Sequence, residues 1–258
     1  MSLQDRWERN AELAVAGRAS GAVYVTTSWD DGHVLDHAMA RLLETYELPG
    51  TFYVAPRNIE LPERERLGVR GLKLLGEQYE IGGHTLTHLR LPTMTADHAT
   101  REIVDGKAQL EQTLGTPLRS FCYPGGEYRD EHPAMVRDAG FAVGRTVERG
   151  VTAPTPPYEM ATTTHAYRHL VDGRMSLRLA GGNRRLAARY FLNWDAMAIA
   201  QFDLVLATGG VFHLWGHSWE VEKNGDWARL ERVFAHIARR RDVRYVDNGE
   251  LAAVGAQM

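Results

Sequence analysis

The sequence of 258 residues lacks several features that would place it in a class at once. It has one cysteine, Cys122, which excludes a disulfide within the chain, leaves the compartment open and favours the cytoplasm. No apolar run reaches the ~20 residues of a membrane helix, and the polar N-terminus does not resemble a secretory signal. The formal net charge of -3 gives no reason to expect nucleic acid as a partner.

Short apolar runs alternate with amphipathic stretches along the chain. The runs predict strands at residues 23–27, 51–55, 80–83, 119–123, 141–146, 160–165, 211–215 and 243–246. The amphipathic stretches predict helices at residues 35–46, 97–114, 133–139, 193–207 and 226–239. Asp97 is the expected N-cap of the second helix. Residues 57–72 and 165–190 are read as irregular surface segments that could border a cleft.

This alternation predicts an α/β fold. Strands joined by helical crossovers form a parallel sheet, and we expect a distorted (β/α) barrel with seven or eight parallel strands. No linker, repeat or low-complexity segment divides the chain. We therefore expect a single domain over residues 1–258, with its core at roughly 20–250.

Two carboxylates and two histidines follow predicted strands. Asp30 and Asp31 come after the first strand, and His84 and His88 follow the third. Strand carboxyl ends carry the active site in a parallel barrel, so we expect these side chains to meet. Two imidazoles and one carboxylate form a metal site with open positions, and the other carboxylate is free to act as a base.

Each motif also has a plainer interpretation when it is taken alone. Asp30-Asp31-Gly32 is equally typical of a turn. His84-x-x-x-His88 places both rings on one face if the segment is helical, but it is also compatible with a surface coincidence or a hydrogen-bonded pair. The joint occurrence of the two motifs favours the metal site.

The two motifs resemble those of the polysaccharide deacetylase family, also called the NodB-homology group or carbohydrate esterase family four. Its Thr-Phe-Asp-Asp-Gly motif is matched at residues 28–32 with conservative changes, and its His-Ser/Thr-x-x-His motif is matched in full at residues 84–88. The resemblance implies that Asp30 is the catalytic base. It also implies that a divalent metal is bound by Asp31, His84 and His88. Zinc is expected first, and cobalt, nickel or iron also suit these ligands.

The third motif departs from the family pattern. Where the family commonly shows Phe-Arg-Pro-Pro-Tyr-Gly, this chain has Phe-Cys-Tyr-Pro-Gly-Gly at residues 121–126. Cys122 stands at the position of the arginine that steadies the base, and Arg119 lies three residues too early to replace it. We expect Tyr123 to contact substrate and the Gly125 amide to donate to an oxyanion, since a backbone donor does not depend on its side chain. The alternative interpretation of residues 124–126 is a simple turn. Cys122 is expected to be a buried strand residue and not a nucleophile.

The family's fifth motif ends in a histidine that acts as the general acid. Period-2 alternation places His213, Trp215 and His217 on one face of a strand. His217 lies at the strand end and is the expected acid, whereas His213 is expected to be a hydrogen-bonded core residue. Trp219 is expected to bind substrate by stacking on a sugar ring, or else to form only the pocket wall.

The family's fourth motif, an Asp-x-x-Asp-Trp-like group that positions the acid, is not found. Asn193-Trp194-Asp195 resembles it in letters but opens an amphipathic helix, so it is better read as a helix cap. His165 is a candidate pocket residue.

The resemblance implies a metal-dependent hydrolase that removes an acetyl or formyl group from the nitrogen of an amino sugar or glycan. One alternative is a metal-dependent amidase or cyclic-imide hydrolase acting on a non-sugar substrate, which the altered third motif mildly favours. The other is a catalytically inactive carbohydrate-binding protein, which would be expected to have lost a metal ligand or the base. Nothing in the residues alone selects a sugar, and the oligomeric state stays open.

Overall fold

The structure, a computed structural model, describes residues 21–255. The strands are β1 (Val23–Trp29), β2 (Thr51–Val54), β3 (Glu80–Gly83), β4 (Ser120–Cys122), β5 (Val143–Arg145), β6 (Thr164–His165), β7 (Gly210–Gly216) and β8 (Val243–Tyr245). The helices are α1 (Asp36–Tyr46), α2 (Val69–Gly76), α3 (Ala96–Leu114), α4 (His132–Asp138), α5 (Gly173–Leu179), α6 (Arg184–Leu192), α7 (Trp194–Thr208), α8 (Ser218–Asn224), α9 (Trp227–Ile237) and α10 (Asn248–Gly255).

The strands form one parallel sheet. Its order is β5-β4-β3-β2-β1-β7-β6, and β8 pairs with β1. Strand β1 pairs with β7 along its whole length, whereas its other side is shared: residues 23–25 pair with β8 and residues 28–29 with β2. The predicted α/β fold with a parallel sheet is confirmed.

The segment that leads into β6 forms hydrogen bonds near both ends of the strand order, at β5 and at β7. The Met160 amide donates to the Gly144 carbonyl (2.8 Å), and the Thr146 amide donates back to the Met160 carbonyl (2.8 Å). Three residues later, the Thr163 amide donates to the His213 carbonyl of β7 (3.0 Å). Because one segment bonds to both β5 and β7, the sheet curls into the distorted barrel that was predicted.

The burial of both faces of the sheet explains why its strands appear in the sequence as continuous apolar runs. All seven residues of β1 and of β7 are buried, as expected for strands in the middle of a sheet covered on both faces. Helix α9 packs one face on this sheet through residues at helical spacing, namely Leu230, Val233, Phe234 and Ile237. The ring of Phe234 lies edge-on to that of Trp29, with centroids 6.2 Å apart. This packing holds the polar ends of the strands in fixed positions.

Several local predictions were wrong. The N-cap of α3 is Thr95, and Asp97 lies in the first helical turn, where its charge still favours the helix dipole. The segments read as irregular include α5 and overlap α2 and α6, and α8 and α10 were not predicted. Each of these helices has at most nine residues, too few for a clear periodic pattern. Within the described residues, no helix combines the length and apolar character needed to cross a bilayer.

Candidate active site

The two aspartates lie where β1 reaches the rim of the sheet. The Asp30 amide continues the strand pairing by donating to the Gly216 carbonyl (3.0 Å), whereas Asp31 takes a left-handed φ of 84°. The Asn58 side-chain amide donates to the Asp31 carbonyl (3.2 Å) and fixes this turn. The change of backbone direction sends the two carboxylates to different partners, Asp31 to the histidines and Asp30 to Arg145.

Asp31, His84 and His88 form a triangle of buried ligand atoms. The Oδ1 atom of Asp31 is 3.0 Å from His88 Nε2 and 3.7 Å from His84 Nε2, and the two Nε2 atoms are 3.2 Å apart. A tetrahedral ion with bonds of ~2.0–2.1 Å holds its ligands ~3.3–3.4 Å apart. The size and chemistry of this triangle therefore fit one divalent transition-metal ion.

Each histidine is oriented by a contact at its other nitrogen. His84 Nδ1 donates to the Cys122 carbonyl (2.7 Å), and His88 Nδ1 lies 3.0 Å from Glu60 Oε2. Burial lowers the pKa of His84 to about 4, so its Nε2 carries a free lone pair at neutral pH. Such contacts aim ligand nitrogens at a common point and raise metal affinity. Glu60 comes from the segment that was read as an irregular surface region.

The two histidines lie on a loop, not on a helix. Thr85 and His88 have positive φ values of 62° and 69°, which are uncommon for residues other than glycine. The hydroxyl of Thr85 accepts the His88 amide (3.0 Å) and stabilises this tight loop. The rings of His84 and His88 meet because the loop folds back on itself, so the helical interpretation of their spacing was wrong.

Helix α3 holds the loop through Glu102 and Gly106. The buried Glu102 carboxylate accepts the amides of Leu86 (3.1 Å) and Thr87 (2.9 Å) and the Thr87 hydroxyl (2.9 Å). One turn later, a Cβ at Gly106 would lie 2.8 Å from the carbonyl carbon of Thr85. A carboxylate acceptor and a missing side chain on one helix face thus allow the loop to pack directly on α3.

Asp30 forms an ion pair with Arg145 of β5. The Arg145 side chain is fully buried, and its guanidinium lies 5.0 Å from the ring centroid of Tyr53 and 4.9 Å from that of Trp215. Stacking between two rings fixes the plane of the guanidinium and compensates part of its lost hydration. The pair therefore fixes the orientation of the Asp30 carboxylate.

Arg145 lies where the family arginine was expected, but on the neighbouring strand. Cys122 of β4 and Arg145 of β5 are directly paired in the sheet. The Cys122 sulfur is 3.7 Å from Asp30 Oδ2, and burial raises the pKa of its thiol, as expected for a structural cysteine. Arg119 instead pairs with Asp247 (2.7 Å), outside this site. Arg145 was not predicted, because one sequence does not reveal which residues of two strands stand side by side.

His217 follows β7 and precedes α8. Its Nε2 is 3.9 Å from Asp31 Oδ2, and its Nδ1 is 3.2 Å from Glu220 Oε2. Burial opposes a charged ring, but the hydrogen bond to Glu220 and the charges of Asp31 and Asp30 raise the pKa of His217 to about 9. The ring therefore carries a proton at neutral pH, which is the state that a general acid requires.

Glu220 occupies the role for which the fourth motif was sought. Besides His217, its carboxylate contacts His165 Nε2 (3.0 Å), and the His165 ring stacks on Trp215 at a centroid distance of 3.9 Å. Although burial opposes its charge, the hydrogen bonds to His165 and His217 lower the pKa of Glu220 to about 2. The signal in the sequence was the spacing of His217 and Glu220, which brings i and i+3 side chains together.

The Asn193-Trp194-Asp195 segment does open a helix, α7, as expected. The Asn193 side chain does not cap it; it donates to the Arg189 carbonyl of the preceding helix (2.9 Å). Asp195 accepts from Arg232 (2.9 Å), so it holds α7 to α9.

The other expected site residues lie in different surroundings. Tyr123 is fully buried and donates to the Tyr158 carbonyl (2.9 Å), so its ring belongs to the core and does not make the expected substrate contact. Gly125 lies exposed in the turn after β4 with a φ of 63°. The predicted core position of His213 is confirmed, since its Nε2 is buried 2.8 Å from Ser28 Oγ.

Trp219 makes a contact that its expected role did not include. Its indole nitrogen donates to Asp31 Oδ2 (2.8 Å), which leaves Oδ1 directed at the two histidines. The ring also lies against that of His217, with centroids 5.1 Å apart. Trp219 therefore fixes the Asp31 carboxylate and forms a wall of the site, and stacking on a sugar stays a prediction.

Comparison with known proteins agrees with these motifs. The model of the polysaccharide deacetylase family matches residues 18–144. Residues 18–144 therefore belong to a polysaccharide deacetylase domain. A peptidoglycan-N-acetylglucosamine deacetylase from Bacillus cereus is 27% identical over 169 residues, which are 62% of this chain and 74% of the relative.

Solved structures of deacetylases share the fold. The deacetylase PplD from Streptococcus pyogenes, solved with acetate, aligns with a TM-score of 0.51 and 16% identity over 63% of this chain and 86% of its own. A family 4 acetyl xylan esterase from Clostridium thermocellum, solved with a cobalt ion, has a TM-score of 0.54 and 15% identity over 90% of this chain and 91% of its own. At these identities the likeness shows the fold alone.

Because Glu102 accepts hydrogen bonds from the loop, we predict that the conformation of the His84–His88 loop depends on this carboxylate. Glu102→Ala leaves two backbone amides without an acceptor, so we expect a loss of about 2 kcal/mol or more in the free energy of unfolding. Urea denaturation measures this loss. The exposed Asp105→Ala on the same helix is the control, and a difference below about 0.5 kcal/mol between the two variants would contradict the role of Glu102.

The pairing of Cys122 with Arg145 predicts that the arginine can be moved between strands. Arg145→Cys leaves Asp30 buried without a partner and should cost about 3–5 kcal/mol in the free energy of unfolding. Adding Cys122→Arg should recover part of this loss, because the guanidinium again reaches Asp30. Arg137→Cys, which breaks an exposed pair with Asp138, should cost no more than about 1 kcal/mol. A double variant less stable than Arg145→Cys would refute the exchange.

Proposed function

We propose that this protein is a metal-dependent hydrolase that removes an acetyl or formyl group from the nitrogen of an amino sugar. The observation that carries the proposal is the buried triangle of Asp31, His84 and His88, with the second carboxylate, Asp30, beside it. The family supports a hydrolase acting on N-acetyl groups. The metal dependence and the amino-sugar substrate are the parts that this proposal adds.

Asp31, His84 and His88 would hold the divalent ion. Such an ion supplies a Lewis acid that lowers the pKa of water toward ~7 and polarises the acyl carbonyl. Zinc is the first expectation for two imidazoles and one carboxylate, and cobalt, nickel and iron suit the same ligands. The cobalt ion of the Clostridium thermocellum esterase supports this range without selecting one metal.

Asp30 acts as the general base in the proposed reaction. Its Oδ1 is occupied by Arg145, and the adjacent Asp31 carboxylate is engaged by His88 and Trp219. Asp30 can therefore take a proton from the attacking water through Oδ2 while its orientation stays fixed. The division of labour between two neighbouring aspartates follows from their different partners.

His217 acts as the general acid. Amines are poor leaving groups unless they are protonated, and His217 carries a proton held in place by Glu220. The Gly125 amide, in the turn after β4, is proposed to donate to the oxyanion that forms on the attacked carbonyl. The proposed base and acid directly follow neighbouring strands, β1 and β7, and would flank the reacting carbon.

Loss of function by decay of the site is not favoured. A decayed binding protein would lack a ligand or the base, whereas Asp30, Asp31, His84 and His88 are all present and in contact. The remaining alternative, hydrolysis of a non-sugar amide or cyclic imide, is distinguished by substrate. A panel of N-acetyl and N-formyl amino sugars beside cyclic imides tests it, and turnover of imides alone would replace the sugar proposal.

Two substitutions separate the base from the ligands. Asp30→Asn should keep the metal and lose turnover by about 10²–10⁴-fold, because the amide cannot accept the proton. Asp31→Ala should lose the metal itself, measured by plasma mass spectrometry. Asp130→Asn, at an exposed position, is the control for both measurements. Full turnover in Asp30→Asn would refute the assignment of the base.

A further inference from the structure

A large cleft opens on the acid side of the site. It has a volume of about 1410 Å³ and is lined by His165, which contacts Glu220 at 3.0 Å. Because Glu220 holds His217, the cleft begins next to the group that would protonate the leaving amine. Pockets for small ligands are typically about 300–1,000 Å³, so there is room for more than a single sugar ring.

The helical hairpin that borders this cleft is strongly basic. Between residues 173 and 194 the chain has five arginines and no aspartate or glutamate. Arg174 and Arg178 are one turn apart on α5 and both line the cleft, where they are exposed. Neither forms an ion pair with another described residue. These two guanidinium groups are therefore available to an anionic ligand.

Arg149 lies deeper on the same wall. Its side chain is 21% exposed, its Nη2 is 3.6 Å from Asp172, and its buried Nη1 has no hydrogen-bond partner within the described part of the chain. The Asp172 carboxylate also accepts the His169 amide (3.1 Å). Glu148 is the second carboxylate of the lining, so three arginines and two acids line the cleft.

Two buried polar groups point to a ligand with hydroxyls. Thr164 and Gln201 line the cleft and are 1% and 2% exposed, yet Thr164 Oγ1 and Gln201 Oε1 have no hydrogen-bond partner among residues 21–255. The Gln201 amide nitrogen donates to the Thr163 carbonyl (3.0 Å), which fixes Oε1 as the free acceptor. Buried polar groups are normally satisfied by protein groups or by ordered water, and a ligand hydroxyl or amide can take the place of such a water.

We infer that this cleft binds an acidic substrate, an N-acyl amino sugar that carries a phosphate or carboxylate. Arg149, Arg174 and Arg178 would bind the anion, because the planar guanidinium matches both groups with paired hydrogen bonds. Thr164 and Gln201 would bind sugar hydroxyls between the anion and the acyl group. The inference rests on the proposed function, since it places the acyl group at the metal triangle.

The test is a binding measurement with three sugars on the full chain. The probes are N-acetylglucosamine 1-phosphate, N-acetylmuramic acid and neutral N-acetylglucosamine, titrated by calorimetry into the metal-loaded Asp30→Asn variant. We expect at least one acidic sugar to bind about tenfold or more tightly than the neutral one, and this preference should weaken with added salt. Comparison of the two acidic probes shows whether phosphate or carboxylate is the preferred anion.

Removal of positive charge from α5 then tests where the anionic group of the sugar binds. Arg174→Gln combined with Arg178→Gln should weaken acidic-sugar binding about tenfold and leave neutral-sugar binding unchanged. Arg70→Gln combined with Arg101→Gln removes the same charge from exposed positions on α2 and α3 and should change neither. Equal affinity for acidic and neutral sugars, no binding of either acidic sugar, or equal losses in the two double variants would overturn the inference.

The two proposals fail in different measurements. If the wild-type enzyme loaded with metal deacylates none of these three sugars and no other N-acetyl or N-formyl amino sugar of the panel, the proposed function fails, whatever the binding experiment shows. If it deacylates them without any preference in binding, only the acidic-substrate inference fails.

Discussion

The approach of the His84–His88 loop to Asp31 is the interaction on which the rest of the site depends. The three side chains proposed as ligands come from the ends of two strands, β1 and β3, which are separated in the sheet by β2. Their meeting requires a loop with two left-handed residues, packed on α3 by a buried carboxylate and a glycine. Positive φ values at residues other than glycine persist only where surrounding contacts enforce them. Glu102 and Gly106 provide those contacts.

At this rim of the sheet, two chemically identical side chains have different partners and therefore different proposed roles. Asp30 continues the strand and meets a buried guanidinium, whereas Asp31 turns left-handed and meets imidazoles and an indole. Each of these two carboxylates therefore has a partner of opposite charge or a hydrogen-bond donor. Low polarity around the site strengthens these contacts and makes an unpaired charge costly. The proposed base, ligands and acid are therefore parts of one electrostatic network.

The positions of the strand ends could be predicted from the sequence, but the spatial neighbours of each strand could not. Apolar runs located the strand ends, so the expected ligands, base and acid converge in the structure. Arg145 was missed because the pairing of β4 with β5 is a tertiary property that one sequence does not contain. Tyr123 was expected at the site because it comes directly after β4, but its ring turns into the core, where its hydroxyl donates to a carbonyl.

Glu220 shows a different limit. Its spacing from His217 was visible, but the short helix α8 that brings the two together was not predicted. The histidine spacing was also visible, and it was compatible with a helix, whereas the structure has a loop. Spacing alone does not distinguish these backbones, because the outcome depended on Glu102, a residue of another element.

The metal triangle is tested most directly by the metal content of the full chain, measured by plasma mass spectrometry for the wild type and for His84→Ala. We expect close to one equivalent of a transition metal, most simply zinc, in the wild type and its loss in the variant. A wild-type protein that holds no metal after reloading, or a His84→Ala variant that retains it fully, would contradict the proposed metal site.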